Sequence, residues 1–158
     1  MIKTILLLFV LAFGHASAFA GTGVVPSTAT PQLTGVWLTQ VTIRHCVTDA
    51  VLAGPFPGLI TYHAGGTVSE VGPALPMSTR SPAHGVWRRA GPHSFVVDVI
   101  FQRYDLGGMY LGTQTIRGEP VIDLESGTYT ARGSFLLHDV TGAQVGAGCS
   151  QVIGRRFE

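Results

Sequence analysis

Thr34-Gly35-Val36-Trp37-Leu38-Thr39-Gln40-Val41-Thr42-Ile43-Arg44-His45-Cys46 reads as a β-strand. Its β-branched and aromatic residues suit a pleated, half-buried surface. With a period of two, Trp37, Thr39, Val41 and Ile43 fall on one face. The stretch ends on one of the two cysteines of the chain. The other, Cys149, opens the last strand-like run, 149–157. A Cys46–Cys149 bond would set the first and last strands side by side and close the sheet into a barrel. Antiparallel pairing with Cys46 opposite Cys149 puts Trp37 opposite about Glu158, within reach of Arg155 or Arg156. In the chain-entropy model, closing a loop of ~100 residues contributes about 4.7 kcal/mol. Neither cysteine sits in a Cys-x-x-Cys motif, so a structural role is expected.

Between these ends the chain reads as short strands and tight turns. Expected strands are 58–63, 68–71, 84–90, 94–104, 109–117 and 127–138, with 46–57 a loop and 72–83 a longer Pro-rich loop. The segment 118–126 is a connection with a short β piece at Val121-Ile122. Gly65-Gly66 supplies the positive φ of a two-residue hairpin turn. The fifth strand alternates most clearly, with Phe95, Val97, Val99 and Phe101 opposite Val96, Asp98, Ile100 and Gln102. Eight strands joined mostly by hairpins imply an all-β, eight-stranded up-and-down antiparallel barrel. A sandwich of similar strand count is the competing fold, and the cysteine pairing favours the barrel.

The 158 residues suffice for one domain. Only 12% are charged and the net charge is +1, which argues against nucleic acid as a partner. Gly 21 and Pro 9 fit the turn-rich reading. Residues 1–20 read as a signal peptide. Lys3 gives the positive n-region, 5–13 is an apolar run too short to span a bilayer, and Ala18-Phe19-Ala20 offers a cleavage site. Residues 21–33 form a flexible tail and 34–158 the barrel domain. The expected location is secreted or periplasmic, where a disulfide persists, with no transmembrane segment left after cleavage.

Gly35-Val36-Trp37 on the first strand, with Arg155 or Arg156 on the last, resembles the lipocalin (calycin) signature. The resemblance implies a tryptophan that plugs one barrel end and a basic side chain packed over its indole, a physically sensible cation–π contact. The Gly-x-Trp element recurs at Gly85-Val86-Trp87, and the Thr-Asp-Tyr motif of that family is absent. The runs 81–87 and 154–158 also resemble small exported bacterial proteins of unassigned function. Avidins share the Gly-x-Trp start, but 127–138 lacks the tryptophans that a biotin site needs. Bacterial inhibitors of secreted metalloproteases are similar in plan, and imply that the tail enters a protease cleft.

Catalytic signals are weak. His45, His63, His84, His93 and His138 show no metal-ligand spacing, and no metal or cofactor is expected. No serine lies in a Gly-x-Ser-x-Gly context. Asp98 sits in an apolar strand. It faces solvent if Phe95 and its partners face the lumen; with the opposite parity it would be buried and paired with Arg88, Arg103 or Arg117.

An eight-stranded barrel is either filled by side chains or holds one small ligand. The expected lumen is Trp37, Thr39, Val41, Ile43, Phe95, Val97, Val99, Phe101, Thr113, Tyr129, Phe135 and Leu137. Small Ala131 and Gly133 lie among the large residues. Thr39, Thr113 and Tyr129 bring polar handles that favour a ligand cavity over a dry core. The reading is thus a non-enzymatic barrel for a small apolar or amphipathic molecule. The alternatives are a protein-interaction module, such as a protease inhibitor acting through 21–33 or 72–83, and a cyclase-like barrel enzyme that needs a buried Asp98.

Overall fold

A computed structural model describes residues 32–72 and 76–157. The strands are β1 (Gly35–Arg44), β2 (Val51–Tyr62), β3 (Thr67–Val71), β4 (Ala83–Arg89), β5 (Phe95–Tyr104), β6 (Tyr110–Asp123), β7 (Thr128–His138) and β8 (Gln144–Arg156). Each pairs antiparallel with the next, and β8 returns to β1, so the eight strands close a barrel. The expected leader 1–20 and all of the tail before Gln32 lie outside the described residues. Leu33, the last residue assigned to that tail, is fully buried in the core.

Three strands run further than sequence patterning suggests. β2 begins at Val51 and takes in Pro55 and Pro57, although that stretch reads as a loop. β3 covers only Leu59 to Tyr62 of β2, so the prolines lie where β2 is paired with β1 alone. A strand with one free edge tolerates a residue that lacks an N–H. β6 likewise continues through Pro120 to Asp123, pairing β7 after its ladder with β5 has ended at Gly118. β8 starts at Gln144, well before Cys149.

The seam between β1 and β8 is shifted by two residues from the expected register. Arg44 lies opposite Cys149 and Trp37 opposite Arg156. β1 stops at Arg44, and Cys46 belongs to the turn that follows it. From that turn Cys46 reaches Cys149 at a Cα separation of 5.2 Å and forms the disulfide. The turn is tied down a second time. The Asp49 carboxylate accepts two hydrogen bonds from Arg132 of β7, at 2.8 and 3.0 Å, and Arg44 donates to the Asp49 carbonyl at 2.7 Å.

One end of the barrel is plugged by aromatic rings. Trp37 meets Tyr129 edge-on at 4.9 Å, and the chain of contacts continues through Tyr62 and Trp87 to Phe95. Leu33, Val68 and Ile122 fill the spaces between them. Along the β7–β8 ladder, Tyr129, Phe135 and Leu137 stand opposite Gly154, Gly148 and Gly146. At each of these glycines a Cβ would run into the opposing side chain, so the missing side chains on β8 make room for the large ones on β7.

Candidate functional site

Above the aromatic plug the lumen holds a cavity of about 670 Å³. Such a volume lies within the roughly 300–1,000 Å³ usual for small-molecule sites. Thr39, Val41 and Ile43 of β1 line it, as do Val97, Val99 and Phe101 of β5 and Tyr129, Phe135 and Leu137 of β7. Trp37 and Phe95 share that inward parity but lie in the plug and are not part of the cavity wall. Thr113 is absent from the wall, and its neighbour Gln114 takes the inward position on β6 with Ile116, Gly118 and Pro120.

Of the two C-terminal arginines, Arg156 is the one over the indole, with its guanidinium carbon 4.4 Å from the ring centre of Trp37. Arg155 lies opposite Leu38, outside the barrel and exposed. Asp98 also points outward, half-exposed, 3.4 Å from Arg117. It faces solvent as its parity opposite Val97 and Val99 requires, and a cyclase-like reading loses the buried acid on which it depended.

The wall also contains groups that the hydrophobic pattern did not single out. Glu70 of β3, Arg80 of the β3–β4 connection and Arg103 of β5 are its three charged members. Arg80 donates to Glu70 at 2.6 Å, and both side chains are almost wholly buried. The Arg80 guanidinium also lies 3.6 Å above the ring of Phe101. Burial raises the Glu70 pKa above the usual glutamate value, and the ion pair with Arg80 offsets part of that rise. Arg103 differs from Arg80, because its buried Nη1 has no hydrogen-bond partner. Period-two reading would have found two of these. Arg103 continues the face of Val97, Val99 and Phe101, and Glu70 continues that of Val68.

At the plug end, Tyr62 and Tyr129 face each other with their hydroxyls 3.5 Å apart. Burial pushes the Tyr129 phenol up to about 12 and raises Tyr62 well above its ordinary value, so both remain neutral hydrogen-bonding groups at physiological pH. Among the described residues no three His, Cys, Asp or Glu side chains converge in a way that would hold a metal ion. The cavity is therefore an apolar chamber with one charged region, formed by Glu70, Arg80 and Arg103. No protein-family model matches the chain, and comparison with curated proteins finds no significant match.

Proposed function

We propose that the protein is a lipocalin-like carrier outside the cytoplasm, holding one small amphipathic molecule in the barrel lumen. The observation that carries this reading is the cavity of about 670 Å³, whose wall combines Val, Ile, Leu and Phe side chains with a set of hydroxyl, amide and charged groups, as an amphipathic molecule requires. Burying an alkyl or ring system there would release about 25 cal/mol for each Å² of apolar surface removed from water. The Gly35-Val36-Trp37 start and the Arg156 stack over Trp37 support the lipocalin-like assignment. The leader-like residues 1–20 support export, and the Cys46–Cys149 bond suits an oxidising compartment. No helix among the described residues is long and apolar enough to cross a membrane.

A protease-inhibitor role would rest on 21–33 or 72–83, of which 21–31 and 73–75 lie outside the described residues. Native mass spectrometry of protein purified from its own host tests the carrier reading. The expected spectrum shows a bound small molecule that is released on denaturation. A protein that arrives empty and also fails to bind a fluorescent alkyl probe would refute it.

A further inference from the structure

We infer that the ligand carries an anionic head group, and that Arg103 receives it beside the Glu70–Arg80 pair. This rests on the carrier reading and adds the chemical class of what is carried. The cavity wall holds two cationic side chains and one anionic one. Arg80 is committed. It pairs with Glu70 at 2.6 Å, donates through Nε to the Ser81 carbonyl at 3.2 Å and covers the ring of Phe101. Two hydroxyls of the wall are also committed, Thr79 to the Pro76 carbonyl and Tyr104 to Gln102.

Arg103 is left over. Its Nη1 is buried and bonded to nothing, and among the described residues it has no counter-charge. Nη1 itself lies against protein, but the guanidinium as a whole is a charge in the cavity wall without a counter-charge among the described residues, and an oxyanion in the adjoining chamber is attracted to it. The backbone of Arg103 bridges that of Arg80, so both guanidinium groups spring from adjoining positions on the wall. Next to them the wall is apolar, with Phe101 and Val99 following Arg103 inward along the same face of β5. A charged region of net positive sign continuous with an apolar chamber fits a carboxylate, phosphate or sulfate joined to a hydrocarbon body. Arg can engage any of these oxyanions through parallel N–H donors.

Calorimetric titration at submicellar concentration with dodecanoate, dodecyl phosphate, 1-dodecanol and dodecyltrimethylammonium tests this on the intact barrel. The two anions should bind roughly tenfold or more tighter than the alcohol, given the usual strength of a hydrogen bond to a charged group, and the cation should bind least. Arg103→Gln should reduce the anions to near the level of the alcohol and affect the alcohol far less, while Arg103→Lys should retain part of the preference. The ranking of dodecanoate against dodecyl phosphate then names the preferred head group. Equal binding of alcohol and anions by the unaltered protein would overturn the inference while leaving the carrier reading in place, and needs no variant to fold. Equal losses for alcohol and anions in Arg103→Gln would do the same. Failure of all four to bind would overturn the inference, and would remove the carrier reading as well if the protein from its own host also arrives empty.

Discussion

The guanidinium of Arg156 covers the indole of Trp37 and at the same time holds the chain that precedes it. Its Nη1 donates to the Thr34 carbonyl at 2.7 Å and its Nη2 to the Gln32 carbonyl at 2.6 Å. Trp37 Nε1 donates to the Leu33 carbonyl at 2.8 Å. The last strand thus locks the entry to the first. Gly35 has φ +128, and a Cβ there would strike the Arg156 guanidinium, which explains the glycine two residues before the tryptophan. Replacing Arg156 by Ala should cost about 1–3 kcal/mol from the lost cation–π contact and charge-assisted hydrogen bonds. Urea unfolding should show a lower midpoint at an unchanged m-value. Arg156→Lys should recover only part of the loss, because an ammonium cannot span both carbonyls while lying flat on the ring.

The disulfide joins positions 103 residues apart, so it constrains most of the unfolded chain. The double variant Cys46→Ala/Cys149→Ala should lose about 2–5 kcal/mol. The Asp49–Arg132 and Arg44 contacts on the same turn should keep the barrel closed, and circular dichroism of the variant should retain the native β signal. Thiol titration of the native protein should find no free sulfhydryl.

The pH ranges below 3.8 and above 4.5 should act on different groups. Arg132 holds the Asp49 carboxyl below its ordinary value of 3.8; hydrogen bonds led by Ser126 and Thr141 do the same for Asp123 and Asp139. Their contribution to stability is present above pH 3.8 and is lost as the pH falls through their folded values. Glu70 has the opposite sign. Its folded pKa is raised above 4.5 by burial, so the folded state binds the proton more tightly than the unfolded one. Its contribution is complete below pH 4.5 and is lost as the pH rises through the folded value. Thermal unfolding across pH should therefore show a decline in this upper window that Glu70→Gln flattens, with the acid limb unchanged. An identical slope in both proteins would mean that Glu70 titrates as it does in the unfolded chain.

Much of the barrel was legible because β5 alternates cleanly and because two cysteines have only one way to pair. The missing half of β2 was not legible, because prolines argue against a strand unless one edge is known to be free. That knowledge comes only from the shortness of β3, at five residues. The register differs by two from the sequence reading because Cys46 lies in the turn beyond β1 rather than on the strand. For the cavity, parity identified most of the wall on β1, β5 and β7. On β6 the inward alternation runs through Gln114, Ile116 and Gly118, which leaves Thr113 off the wall despite its hydroxyl. Glu70 and Arg103 escape an apolar pattern for a different reason. A search for apolar alternation skips the charged residue that completes the same face.

The most direct test of an open, ligand-holding lumen uses Gly118. It lines the cavity, its φ is not positive, and a Cβ there would meet nothing within 4 Å. Gly118→Phe should therefore place a ring in the chamber without displacing its neighbours, with stability unchanged or raised as glycine leaves a strand interior. Equilibrium titration with a fluorescent alkyl probe should give saturable one-to-one binding to the unaltered protein and clearly weaker binding to a folded Gly118→Phe variant. Equal binding by both would place the probe outside the barrel and contradict the account.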